Sequence, residues 1–360
     1  GRKVTHPRPL MPTRAPWIAA ALALVAAVGL AAPPTDADMI AAFPHPRGYV
    51  APRLAEPVRI DGDVTDKAWA AVPWSEPFVD IEGDRRPPPR HRTRVKMAWD
   101  DHALYVAAEL VEPHVWATLT EHDSVIFKDN DFELFLDPDG DNHVYGELEV
   151  NALNTTWDLL LTKAYKDGGK AVNAWEVAGL TTAVKVQGTL NDPRDTDTGW
   201  TLEVRWPWAG LKELAAAVPP KAGDRWRINF SRVEWDVVVD GGKYKKVPNR
   251  PEHNWVWSPQ GVIDMHRPER WGYIQFGAAG EVFRPDPEWE ARDWLHRAYY
   301  AERAHRAKAG RYTAEVRDLG LTAPAGRLSL GATRTGFEAT WLVDGKPALT
   351  IRDDGRVVRE

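Results

Sequence analysis

Hydrophobic and polar residues alternate most strictly between positions 129 and 158, in the stretch DNDFELFLDPDGDNHVYGELEVNALNTTWD. In its first run Phe132, Leu134 and Leu136 share one face, and Asp131, Glu133, Phe135 and Asp137 share the other. Residues 137–142 (DPDGDN) are of the kinds that tight turns favour. A second run over 147–152 sets Leu148, Val150 and Ala152 inward, with Glu147, Glu149 and Asn151 outward. A period of two on either side of a turn predicts neighbouring antiparallel strands. One of their faces is apolar, and the other is a wall of carboxylates and an amide.

The same period marks further strands at 94–99, 103–110, 156–161, 182–189, 200–206, 225–231, 255–257 and 272–276. A short strand and a helical turn ending on Trp69 are expected over 59–69, and a crossover helix over 208–217, before Pro219-Pro220. Roughly ten strands with turns between them predict a mainly β fold. We expect a two-sheet antiparallel β-sandwich, jelly-roll-like, over 54–277. Residues 33–53, rich in Pro and Ala, read as a linker. Residues 287–309 read as an amphipathic helix with Trp289, Leu295, Ala298 and Tyr299 near one face and Gly310 as its stop. Three short strands follow over 327–360, with turns at Gly331, 344–345 and 353–355, so 281–360 is expected to form a small α+β appendage.

At the other end, Met11, the positive Arg14, the apolar run 17–30 and small residues at Gly29, Ala31 and Ala32 have the form of a signal peptide within residues 1–32. The apolar run falls short of the roughly 20 residues of a membrane span. Export to the periplasm or outside is therefore expected over membrane anchoring.

Composition changes this picture in three places. A net charge of −6 points away from nucleic acid. The absence of Cys excludes disulfides, thiol nucleophiles and Cys-ligated zinc. Eighteen Trp, fourteen of them between Trp69 and Trp271, fit either core packing or flat platforms for sugar rings. The eleven His are scattered and argue against a His-metal centre. No GxSxG, HExxH or phosphate-cradling Gly-rich loop is present.

Several short motifs occur in a set order: IDGD at 60–63 with Ala68-Trp69, Trp99-Asp100 with LYV at 104–106, and DFELFLD at 131–137. GWTLEV at 199–204 with Pro207-Trp208, Gly223-Asp224 with Asn229-Phe230, and Trp257-Ser258 complete the set. This order resembles the family 9 carbohydrate-binding modules, often attached to xylan-degrading enzymes, over about 54–277. The resemblance implies a sandwich with bound calcium that grips a sugar end between two aromatic rings. It implies that Glu133 and Asn151 bond sugar hydroxyls, with Glu149 standing where the family has a basic residue. Phe127 falls near the first stacking position, and Trp116 upstream is a substitute. The second stacking position falls near Met265-His266, flanked by Trp255, Trp257 and Trp271.

The candidate carbohydrate site is thus Phe127, Glu133, Glu149 and Asn151, with Trp116, Trp257, and Arg227 and Asn229 from the alternating run 225–231. The bland alternative is a solvated outer face with salt bridges between strands. Asp137, Asp139 and Asp141 present oxygens at alternate positions, as Ca²⁺ ligands are presented, though not in EF-hand spacing. Asp61, Asp63 and Asp66 form a weaker second set. The expected function is non-catalytic binding of a polysaccharide or oligosaccharide end in extracellular carbohydrate catabolism, with a glycoside hydrolase as an associated partner. Two alternatives stand beside it. One is a glycosidase using Glu133, Glu147 and Glu149, against which the lack of an evident apolar setting weighs. The other is an exported scaffold that has lost sugar binding.

Overall fold

In the computed structural model, which describes residues 36–214 and 217–360, the run DFELFLD forms the strand Asp131–Asp137 inside a nine-stranded sheet. The expected leader, residues 1–32, lies outside the described residues. Asp131–Asp137 pairs antiparallel with His143–Asn151, Glu133 opposite Glu149 and Phe135 opposite Glu147. On its other side it pairs with Arg225–Glu234, Glu133 opposite Ser231. Thr156–Lys163 and Ala171–Val172 extend the sheet beyond His143–Asn151; Gly272–Gly277 and Gly48–Pro52 extend it beyond Arg225–Glu234. His253–Val256 also pairs with Arg225–Glu234 and carries the short Val79–Asp80. The facing sheet has four antiparallel strands, ordered Thr93–Trp99, Ala103–Val111, Gly199–Pro207 and Thr181–Gln187.

The inward residues foreseen by alternation fill the space between the sheets. Phe132, Leu134, Leu136, Leu148 and Val150 share one buried cluster with Met97, Val106, Leu202 and Trp206 of the second sheet. Each such side chain contributes about 1.5–3 kcal/mol by leaving water. The molecule is therefore a two-sheet β-sandwich. Of the fourteen tryptophans between 69 and 271, only Trp74, Trp157 and Trp235 are not buried, so core packing accounts for nearly all of them.

Several local expectations change. The segment read as a linker contains a 3-10 turn, Asp36–Met39, and the strand Gly48–Pro52, which runs parallel to Gly272–Gly277. Tyr49 and Ala51 of that strand sit in the core; its Gly and Pro hid the pattern. Residues 59–60 are irregular, and only Lys67–Trp69 forms a 3-10 turn. In place of the crossover helix there is a 3-10 turn, Trp208–Leu211. An unforeseen hairpin, Val237–Asp240 with Lys243–Lys246, turns at Gly241-Gly242, where positive φ of 60° and 75° suits glycine.

The helix Trp289–Ala309 ends at Gly310 in the left-handed conformation. Four strands follow, not three, and Gly331 lies within the strand Leu328–Ala332. Leu295, Ala298 and Tyr299 pack on Phe337, Trp341 and Ile351 of this sheet, together with Met39. The helix also docks on the sandwich. Arg292 donates to the Gly140 carbonyl at 2.8 Å, and Arg267 donates to the Tyr300 hydroxyl at 2.9 Å. Among the described residues no helix is long and apolar enough to cross a membrane.

Candidate functional site

The carboxylate-bearing face of the large sheet is not solvated. Every residue of Asp131–Asp137 is buried on both faces. Phe135, Tyr145, Leu159, Leu161 and Trp271 form a second apolar cluster on this outer side, with Trp157, Ala171 and Met265 against it. Trp271 donates its indole N–H to the Met265 carbonyl at 2.9 Å, fixing that segment over the sheet.

Beside this cluster a cleft of about 210 Å³ opens over Glu133, Glu147 and Glu149. Phe127, Trp157, Tyr165, Glu252, Asn254 and His266 stand around it. Phe127 and Tyr165 are 36% and 49% exposed, so each ring offers a face to solvent. Phe127 is pinned through its backbone: its N–H donates to Glu149 Oε2 at 2.9 Å, and its carbonyl accepts from the Trp235 indole at 2.8 Å. His266 lies edge-on to Tyr165 with centroids 4.7 Å apart, and its Nδ1 is 2.7 Å from the Tyr145 hydroxyl.

The floor has an unusual charge state. Asp131, Glu133 and Glu149 bring carboxyl oxygens within 4.8 Å of one another. Burial, then the Glu147 charge, pushes Glu133 up to about 8. Burial and the Glu133 charge hold Asp131 and Glu149 well above the ordinary carboxylate range. The acid forms of Asp131 and Glu149 are thereby favoured, and these two neighbours hold Glu133 below them. Asp131 Oδ2 is buried without a partner. Protonated carboxyls both donate and accept hydrogen bonds, as sugar hydroxyls do.

A sequence model of the family described as carbohydrate family 9 binding domain-like matches residues 60–243, just over half of the 360. The chain belongs to this family. A search of the curated proteins finds no match. Among solved structures, the chain is similar to a candidate carbohydrate-binding protein from Bacteroides uniformis ATCC 8492. That likeness has 17% identity and a TM-score of 0.48, covering 64% of this chain and 99% of that one. It is also similar to a family 9 module from Caldicellulosiruptor kristjanssonii in complex with cellotriose. Identity there is 18% and the TM-score 0.41, over 67% of this chain and 100% of that one. The same module in complex with glucose matches at 18% and 0.41, over 66% and 100%.

Among the residues singled out from sequence, the structure gathers Phe127, Glu133 and Glu149 at the cleft of this family 9 chain. The other five are placed elsewhere. Asn151 is fully buried and its amide is saturated: it donates to the Leu119 carbonyl and Asp129, and accepts from the Leu153 and Thr155 N–H groups. Asn229 is likewise spent, donating to the Ser258 carbonyl and Gln260 and accepting from the Ser258 and Phe230 N–H groups. Arg227 is buried against the Tyr273 ring and donates to the Glu269 and Trp271 carbonyls. Trp257 lies between the sheets, edge-on to Phe230, and has no free face. Trp116 is buried away from the cleft. Alternation reports which face a side chain takes, not what covers it.

Five groups at the cleft, Trp157, Tyr165, Glu252, Asn254 and His266, were not among the candidate site residues. Trp157 lies directly opposite Glu149 in register, a neighbour that extending the alternation by one strand would have found. His266 lies at the cleft, in the segment 265–266 where the resemblance leads us to expect the second stacking position. Tyr165 lies two residues past the strand Thr156–Lys163, where the alternation has stopped, and Asn254 arrives from a segment far along the chain.

The acidic turn fits a cation. Asp137, Asp139 and Asp141 bring oxygens within 4.8 Å of one another. Asp137 Oδ1 is buried with no partner, while Oδ2 accepts from the Asn142 N–H at 2.9 Å. Burial and the charges of Asp139 and Asp141 push Asp137 well up. The turn is braced by the C-terminal sheet, through the Val357 N–H on the Asp141 carbonyl and Arg356 on the Asp141 carboxylate at 3.1 Å. The weaker set does not converge. Asp63 turns to Thr65 and Lys185, and Glu203 instead holds that loop through the Asp61 and Gly62 N–H groups and the Trp69 indole.

Proposed function

We propose that this family 9 protein binds carbohydrate, without altering it, in the cleft over Glu133. One observation carries the reading: a chain of this family places proton-rich carboxyls and two exposed aromatic rings, Phe127 and Tyr165, around one small cleft. A pyranose has an apolar C–H face for the rings and hydroxyls for Glu133. At about 210 Å³ the cleft is below the roughly 300–1,000 Å³ of drug-sized pockets, which suits a single ring at a chain end. Export, a role in extracellular carbohydrate catabolism and association with a glycoside hydrolase belong to this proposal, as does a structural Ca²⁺ held by Asp137, Asp139 and Asp141. The ion would neutralise the buried Asp137 and tighten the turn against the C-terminal sheet.

Calorimetry of the full chain with glucose and cellotriose tests the reading. Glu133→Ala is expected to weaken binding about tenfold, in line with one or two lost hydrogen bonds at about 0.5–1.5 kcal/mol each. Phe127→Ala is expected to weaken it by a smaller factor. Unchanged affinity in both variants would move the site elsewhere.

A glycosidase is a second reading, favoured by the protonated Glu133, which has the setting of a general acid that the sequence did not reveal. Against it, burial and the Glu133 charge hold Glu149 well above the ordinary carboxylate range, which disfavours the ionised form that a nucleophile or base needs. Release of glucose from cellotriose, abolished by Glu133→Gln, would establish it.

A further inference from the structure

Outside the cleft, folding brings His122, Asp123, Asp158 and Glu176 together from three separate segments. The scattered histidines gave no hint of this. His122 Nε2 lies 2.9 Å from Glu176 Oε1, 3.2 Å from Asp123 Oδ1 and 3.6 Å from Asp158 Oδ1. Around a tetrahedral Zn²⁺ with ligands at about 2.0–2.2 Å, neighbouring ligand atoms stand about 3.3 Å apart. The three measured separations bracket that value.

A second observation points to the same ion. Asp123 Oδ1 and Asp158 Oδ1, the two oxygens aimed at Nε2, are buried and have no hydrogen-bond partner. Asp158 is 1% exposed, and its other oxygen is occupied by the Val177 N–H at 2.6 Å. His122 Nδ1 is 3.1 Å from the Thr156 hydroxyl, an outer partner that leaves Nε2 free to ligate.

We propose that His122, Asp123, Asp158 and Glu176 form a binding site for a divalent transition cation of the Zn²⁺ class. A neutral imidazole with three carboxylates carries −3, which a divalent cation offsets better than one proton on His122. The imidazole and the count of four ligands favour Zn²⁺ over Ca²⁺, which takes six to eight oxygens. The site stands behind the cleft, since Asp158 follows Trp157 and Asp123 precedes Phe127 by four residues.

The test is zinc titration of the chelator-treated full chain, followed by calorimetry and thermal unfolding, with His122→Ala and Asp158→Asn beside it. Expected are saturable binding near one Zn²⁺ per chain, a rise in Tm, and at least a tenfold loss of affinity in each variant. His122 is half exposed, so its variant should fold; should Asp158→Asn fail to fold, His122→Ala decides alone. His91→Ala controls for the His91, Glu112 and Glu234 grouping and should bind as the parent does. No saturable binding, binding unchanged in His122→Ala, or an equal response to Ca²⁺ would overturn the proposal. In the last two cases the four groups would be a protonated histidine with its carboxylates, or an oxygen-type site.

Discussion

Two buried acidic groupings sit on opposite faces of the same sheet, almost side by side, and they are neutralised differently. In one, Arg232 lies between the sheets and reaches Glu112 at 3.0 Å and Glu234 at 3.2 Å, all three side chains at most 4% exposed. The guanidinium also donates to the Thr93 hydroxyl and the Val111 carbonyl. In the other, Asp131, Glu133 and Glu149 have no such cation among the described residues, and burial with mutual repulsion raises all three toward the acid form. Neighbouring backbone positions set them apart: Val233 is paired with Asp131, and Arg232 with Phe132. A grouping that supplies its own cation is built to hold the sheets together. A grouping that relies on protons and opens to a cleft keeps its polar atoms available.

The largest expected effect comes from removing the built-in cation. Arg232→Met should cost about 3–5 kcal/mol, because two buried carboxyls lose their partner; urea unfolding measures it. Burial pushes Glu234 up to about 8 even against the pull of Arg232, so a proton on Glu234 shares in the neutralisation, and the groupings differ in the cation that Arg232 adds. The variant should therefore recover part of the loss at acid pH, where Glu234 is protonated.

A change in the other grouping should act through pH. Glu133 titrates near 4.5 in the unfolded chain and near 8 in the folded one, so the folded state binds the extra proton in between. Its contribution to stability is complete below about 4.5 and is lost as pH rises through 8. Unfolding midpoints measured from pH 5 to 9 should fall for the parent and fall less steeply for Glu133→Gln. Equal slopes would show that the cleft proton sits on another group.

Much of this contrast was legible in the sequence, and the missing part has a physical cause. The period of two assigned Glu133 and Glu149 to the outer face, and the turn set the hairpin, because both depend only on neighbours in the chain. The burial of that face depends on Met265, Trp271 and the helix Trp289–Ala309, which return from far along the sequence. The saturated amides of Asn151 and Asn229 looked like free ligands because their partners are set by loop and turn geometry that alternation does not report, and Tyr165 lies just past the strand Thr156–Lys163, where alternation stops. The setting that protonates Glu133 is also tertiary, so it escaped a reading by residue type. The family motifs carried the fold across this gap, since their order is itself a record of long-range pairing.

The smallest expected effect separates burial from charge within the first grouping. Arg90 also approaches Glu234, at 3.5 Å, and Asp236 at 3.0 Å, but its side chain is 43% exposed. Arg90 and Arg232 both lie over the Trp255 ring, at 5.4 and 5.2 Å. They therefore share a carboxylate and an aromatic neighbour, and they differ mainly in contact with water. Water screens the Arg90 pair and solvates Glu234 from the rim if Arg90 is removed. Arg90→Ala should cost no more than about 1 kcal/mol and lose even that at high salt, whereas the Arg232→Met penalty should persist there. A comparable cost for both would mean that Glu234 depends on the net positive charge around it, and that the buried position of Arg232 is not what makes the first grouping structural.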